Sequence, residues 1–165
     1  MPAAVATVTM TIIRDHREKL PYDFKSVVKP VLPFIVHAGH LETGDYSLKL
    51  PGAELSYDRI AIERKTLSDL YSTLGSHRER FEAEFQRLSL YGYAALVIEA
   101  TFEQIARPNE YLLHPTDLNP KSVLMTLAAW SQRYSVHVWP LPGRRIAEQW
   151  TFRLLERWAR DHTTD

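Results

Sequence analysis

Two stretches of the chain are apolar without interruption: Ile60-Ala61-Ile62, and Tyr93 through Ile98, which ends at Glu99. Short unbroken runs of this kind are the pattern of strands buried on both faces. Val8 to Ile13 is rich in β-branched residues and reads as a further strand, as do Phe34 to His37 and Val136 to Trp139. Gly44 to Leu50 and Tyr57 to Lys65 read as a hairpin turning at Pro51-Gly52-Ala53-Glu54. Elsewhere the period lengthens to that of a helix. Leu67, Leu70, Tyr71 and Leu74 form one stripe, and Phe81, Phe85 and Leu88 a second. Val123, Leu124, Leu127 and Ala128 form a third, and Ala147, Trp150, Leu154, Leu155 and Trp158 a fourth. Helix starts are signalled at Thr66 with Asp69, at Ser76 with Glu79 (both of capping-box type), and at Asn119-Pro120. Phe102 to Arg107 is a short helix, and Pro21 to Pro33 is loop or one short helix broken by Pro30 and Pro33. Strands alternating with helices predict an α/β fold.

The 165 residues, 45% hydrophobic, suffice for one domain with one core, and no linker or internal repeat divides them. Cysteine is absent, which excludes disulfides and thiolate zinc sites and fits a reducing compartment. Met1 to Thr11 lacks a basic start and a leucine-rich centre, so it does not read as a signal peptide. No apolar run approaches a membrane span. An intracellular, cytoplasmic protein without membrane attachment is the expectation. Twenty basic residues balance twenty acidic ones, so no global charge points to nucleic acid, although local arginines can still form a basic strip.

Glu63-Arg64-Lys65 changes this picture. Such triplets are common on solvated helix surfaces, but this one ends a strand. Alternation in a strand turns Glu63 and Lys65 to one side and Arg64 to the other. A carboxylate and an ammonium at the end of a core strand are costly to bury unpaired and point to a metal, an anion, or both. The hairpin carries a second acid, Asp45 after Gly44, towards Glu63. Close carboxylates repel unless a cation lies between them, and hard oxygen ligands suit Mg²⁺ or Mn²⁺.

Other charged positions are open to two readings. Arg14 to Glu18 is a solvated loop or an acid pair at the C-terminal edge of the sheet, where open α/β sheets place ligands. A helix cap alone would explain Asp69. Around Arg78 and Arg80 the helix surface offers i,i+4 pairs, Arg78–Glu82 and Arg80–Glu84, or phosphate contacts near a helix start. His37 and His40 read as structural or solvent-facing. Glu99 is a candidate support for the site. Arg144, Arg145, Arg153, Arg157 and Arg160 make the last helix locally basic, a DNA-backbone strip or a soluble surface, and its tryptophans suit a core or a subunit interface.

Taken together, Gly44-Asp45, Glu63-Arg64-Lys65 and, three residues on, Asp69 resemble the GD…ERKxxxD signature of the XPF-type structure-selective nuclease domain, of the PD-(D/E)XK superfamily. The likeness extends to Asp15-x-x-Glu18 upstream and Arg78 to Leu88 downstream, about half of the chain. It implies a restriction-endonuclease-like fold with a mixed central sheet flanked by helices. It implies Mg²⁺-dependent hydrolysis of DNA phosphodiesters, with Mn²⁺ able to substitute, at flaps, forks and other branched DNA in repair or recombination. Asp45 and Glu63 would bind metal, with Asp15 and the backbone carbonyl of Arg64 as further donors. Lys65 would orient or activate the attacking water. Glu18, Arg64 and Asp69 would complete the catalytic set, and Arg17, Arg64, Arg78 and Arg80 would meet DNA. Relatives pair this domain with a helix-hairpin-helix module and act as dimers. No room for that module follows Trp158, so residues 1–165 are expected to be the nuclease domain alone, with a homodimer or partner subunit supplying junction preference. A non-catalytic DNA- or protein-binding scaffold, or a resolvase or restriction-type nuclease, are the alternatives.

Overall fold

The computed structural model describes residues 8–51 and 59–163. The hairpin turn at Gly52 to Glu54, the start of the second hairpin strand at Tyr57, and most of the apolar N-terminal stretch lie outside them.

Six strands form one sheet: β1 (Met10–Asp15), β2 (Phe34–Gly39), β3 (Tyr46–Lys49), β4 (Ile60–Lys65), β5 (Tyr93–Ile98) and β6 (His137–Pro140). Their order is β2-β1-β3-β4-β5-β6. β3 runs antiparallel to β1 and β4, and every other neighbouring pair is parallel. The sheet is therefore mixed, as expected. These strand directions bring the C-terminal ends of β1, β2, β4, β5 and β6, and the start of β3, to one edge. Asp15, Asp45, the Glu63–Lys65 triplet and Glu99 all arrive there. Backbone bonds lock the edge together: Asp15 N–H donates to Asp45 O, Asp45 N–H to Ile62 O and Glu99 N–H to Lys65 O, each at 2.8–2.9 Å.

One face of the sheet is covered by α1 (Leu67–Ser76), α2 (Arg78–Leu88), α3 (Phe102–Ala106) and α4 (Pro120–Tyr134). The other is covered by α5 (Arg144–His162) and residues of the 22–34 segment, which forms no helix. On β4, Ala61 packs into the first cluster and Ile60 and Ile62 into the second. The same alternation continues to the end of the strand and sends Glu63 and Lys65 towards α2 and Arg64 towards α5.

The stripes of α1 and α2 are buried as the periodicity requires. Three details differ. The N-cap of α2 is His77, which makes no side-chain capping bond, because Ser76 is still the last residue of α1; no capping box forms there. The α4 face is rotated: Thr126 and Trp130 are buried and Ala128 is exposed, because the indole fills the space beside Phe81 and Phe85. On α5 the buried line is Ala147, Thr151, Phe152, Leu155 and Ala159, with Trp150, Leu154 and Trp158 at its flank. Two carboxylates share the inner side of that helix. Glu148 accepts from Phe24 N–H and Ser26 Oγ, and Glu156 from Val31 N–H and Leu32 N–H, so they serve the backbone donors of a segment with no ladder of its own.

Candidate active site

Gly44 sets the position of Asp45. Its φ is +82°, and a Cβ built there would lie 3.2 Å from Ile62 O, so only glycine passes this close to β4. Asp45 then accepts the Arg64 N–H on Oδ2 at 2.8 Å. Burial, followed by the neighbouring Glu63 charge, raises its carboxyl well above the usual range.

Glu63 is buried, and its Oε1 accepts from Lys65 Nζ at 2.8 Å. The Lys65 ammonium also sits 4.9 Å from the centre of the Phe81 ring. Burial alone would lower the Lys65 ammonium, but the Glu63 and Glu84 carboxylates outweigh it and hold the group protonated. Burial raises the Glu63 carboxyl; the Lys65 ammonium opposes this, and the charge of the nearby Glu84 adds to it. Glu84 belongs to α2, where the sequence suggests only a solvated partner for Arg80.

Asp45, Glu63 and Glu84 open into one cleft of about 260 Å³, whose wall includes Thr43, Arg80 and Arg87. Arg80 has no ion pair with Glu84 or any other described residue, and Arg87 has none either. Arg78 is turned away from the cleft, with Nη2 3.0 Å from Thr126 Oγ1 and its guanidinium over Trp130. Glu82 is taken by Arg133 and Tyr134, so neither expected i,i+4 pair of α2 forms.

Asp15 borders the cleft, but both of its oxygens are occupied. Oδ1 accepts Arg17 N and Nε, and Oδ2 accepts Arg17 Nη2 and Leu41 N, at 2.7–3.1 Å. Burial by itself would raise this carboxyl; the Arg17 and Leu41 donors prevail and lower it to about 2. His16 and His40 offer ring nitrogens within 4.8 Å of Asp15, yet its lone pairs are spent and His16 Nδ1 already bonds Gly39 O. Arg17 is held by Asp15 and by Leu41 O.

Arg64 points to the α5 side, where Nε and Nη2 bond the two oxygens of Glu99 and Nη1 lies 3.4 Å from Glu18 Oε1. Its side chain is 5% exposed, so it presents no free face to a phosphate. Glu99 also accepts Tyr22 Oη at 2.7 Å, and Arg144 lies 3.6 Å from it. Asp69 is exposed and closes the α1 capping box, accepting Thr66 N–H at 3.1 Å while its own N–H donates to Thr66 Oγ1 at 3.0 Å. On α5, Arg144 bonds the carbonyls of Leu20 and Pro21, Arg153 that of Val28, and Arg157 pairs with Asp161.

The donor set suits a hard divalent cation. Asp45 and Glu63 offer carboxylate oxygens to the cleft, with Glu84 on the same wall, and Asp45 is crowded by the Glu63 charge. Asp15 contributes charge at the rim but no vacant oxygen.

Comparison with known proteins places this geometry. The family model "ERCC4 domain" matches residues 15–154. No curated protein sequence is a match. Among solved structures, XPF from Aeropyrum pernix superposes with a TM-score of 0.61 at 21% identity, over 94% of this chain and 62% of that one. XPF from Aeropyrum pernix in complex with DNA gives a TM-score of 0.59, also at 21% identity, over 94% of this chain and 68% of that one. At this identity the likeness is one of fold. The chain spans about three-fifths of the length of the first of these proteins. No helix of the described residues is long and apolar enough to cross a membrane.

Proposed function

The chain belongs to the ERCC4 domain family, and on that premise we propose that it is a metal-dependent DNA endonuclease acting at branched DNA, such as flaps and forks. The observation that carries the reading is the convergence of Asp45 and Glu63 in one cleft at the strand ends, with Lys65 bonded to Glu63 and with Arg80 and Arg87, which have no ion pair among the described residues, on the cleft wall. The DNA complex of the A. pernix relative supports DNA as the ligand.

Asp45 and Glu63 would hold Mg²⁺, or Mn²⁺ in its place. When bound, such an ion lowers the pKa of a coordinated water and stabilises charge on the phosphorane. Lys65 stays an ammonium beside Glu63, so its part is to orient the attacking water and offset phosphate charge, as a donor. Arg80 and Arg87 hold the DNA backbone on either side of the cut. Arg64 acts from behind: its guanidinium ties the end of β4 to Glu99 and Glu18, and its backbone N–H fixes Asp45. Asp15 orders the loop through Leu41 with Arg17, and Asp69 caps α1.

The test is cleavage of labelled 3′-flap, fork, duplex and single-stranded DNA with Mg²⁺ or EDTA, comparing wild type with Asp45→Asn, Glu63→Gln and Lys65→Ala. Metal-dependent cutting near the junction is expected, lost in each variant while DNA binding survives. Cutting that persists in both acid variants overturns the site. Binding without cutting of any substrate favours a scaffold of the same fold.

A further inference from the structure

We propose that the groove between α1 and the 107–118 connection takes unpaired bases of the DNA, stacked against Tyr111 and Leu113. The inference rests on the DNA-binding reading above and carries the substrate contact beyond the cleft.

The groove opens at the sheet edge that holds the cleft. A cavity of about 390 Å³ has Thr66 and Ser68 of the α1 start, Glu99 of the β5 end, and Tyr111, Leu113 and His114 in its lining. Thr66 directly follows Lys65, and Glu99 N–H donates to Lys65 O at 2.9 Å. The mouth of the groove therefore adjoins the strand end that carries Glu63 and Lys65. A second cavity, of about 450 Å³, shares Ser68, Leu112 and His114 with the first. It continues the recess along α1, past Ser72 to Ser76.

The outer wall is held in shape by its own bonds. Asn109 Nδ2 donates to Thr116 O at 3.1 Å, and Asn109 Oδ1 accepts Thr116 N–H at 2.8 Å, so one side chain ties the two ends of the 109–116 loop. Tyr111 N–H and Leu112 N–H both donate to Pro108 O, at 3.0 and 2.8 Å. Held this way, Leu113 is 90% exposed and Tyr111 50%. These are two large apolar side chains that the core does not use, side by side at a recess beside the proposed active site.

The chemistry of the recess selects a base and not a phosphate. No lysine or arginine lines either cavity, and Asp117 stands at the far end of the second. The Glu99 oxygens are taken by Arg64 and Tyr22. An uncharged flat group suits such walls, while the phosphates stay outside, on the side of Arg80 and Arg87. Flaps and forks supply that group where it is needed, because their bases lose their partners next to the junction. An unpaired base regains stacking on an aromatic face, and does so whatever its identity.

The experiment reads the base and not the cut. Fork DNA with 2-aminopurine in the unpaired strand beside the junction is bound in EDTA to wild type, Tyr111→Ala, Tyr111→Phe and Leu113→Ser, with duplex DNA as control. Wild type is expected to quench the probe, Tyr111→Phe to keep the quenching and Tyr111→Ala to lose it. Fork affinity is expected to fall roughly tenfold in Tyr111→Ala and less in Leu113→Ser. Duplex affinity, and the slope of log affinity against log salt, should not change, since no phosphate contact is removed. Wild-type quenching and fork affinity in Tyr111→Ala overturn the proposal and leave the groove to a partner of another kind, such as a protein segment. Equal losses on fork and duplex also overturn it. A wild type that binds no DNA overturns this inference and the nuclease reading together. Cutting that persists in Asp45→Asn, beside quenching that Tyr111→Ala abolishes, overturns the metal site and bears out the groove.

Discussion

Arg64 and Glu99 close a two-point ion pair between the ends of β4 and β5, with Nε 2.6 Å from Oε1 and Nη2 3.1 Å from Oε2. Both side chains are buried, and Tyr22 and Glu18 supply further partners. The pair joins the strand that carries Glu63 and Lys65 to its neighbour, so it keeps the floor of the cleft in register.

Removing Glu99 leaves a buried guanidinium without its main counter-charge. Glu99→Ala is expected to cost about 3–5 kcal/mol of stability, read from urea denaturation. Arg64→Lys should also lose stability, because an ammonium cannot make the forked contact. Wild-type stability in either variant would show that the pair does not hold the strand ends.

Asp15 gives the protein an acid-sensitive element. Its carboxyl lies at about 2 in the folded chain against an ordinary 3.8. Between those values the unfolded chain binds the proton and the folded chain does not, so stability rises with pH there. The contribution is complete above about pH 4 and is lost as pH falls through about 2. Asp15→Asn is expected to be less stable by about 1–3 kcal/mol near neutrality, and the gap should close in acid. Parallel denaturation curves from pH 2 to 7 measure it.

Arg80 and Arg87 face the cleft without ion-pair partners among the described residues, whereas Arg78 is engaged with Thr126 and Trp130. If they hold phosphates, Arg80→Ala and Arg87→Ala each reduce the slope of log affinity against log salt by about 0.9 for duplex DNA. Arg78→Ala should leave the slope unchanged. Fluorescence anisotropy across a salt series separates the three.

Asp69 and Thr66 bond each other's backbone at the start of α1. Thr66→Ala is expected to cost about 1 kcal/mol, and Asp69→Ala about 0.3–1 kcal/mol. Both should cut DNA at the wild-type rate well below their melting temperatures. A rate lost in Asp69→Ala without loss of stability would move Asp69 from the cap into the chemistry.

The sequence alone carried the alternation of strands and helices, the two-sided burial of β4 and β5, and the Gly44-Asp45 and Glu63-Arg64-Lys65 elements, which lie within the span that matches the ERCC4 domain. These are local properties. A period of two or 3.6 is written in consecutive residues, and so is the rule that Glu63 and Lys65 share a side that Arg64 does not. What those sides face is not local. Glu84 reads as a surface partner of Arg80 until the packing of Phe81 and Phe85 turns it over β4. Asp15 reads as a free acid at a strand end, and only the tertiary structure shows Leu41, a distant loop residue, donating to its second oxygen. Glu148 and Glu156 of α5 serve the ladderless 22–34 segment, whose donors no local pattern assigns to them. In each case the same carboxylate could bind water, arginine, backbone or metal, and the free energies of these alternatives lie close together. Tertiary packing decides among them, because it alone fixes which donors lie within 3 Å and which are excluded.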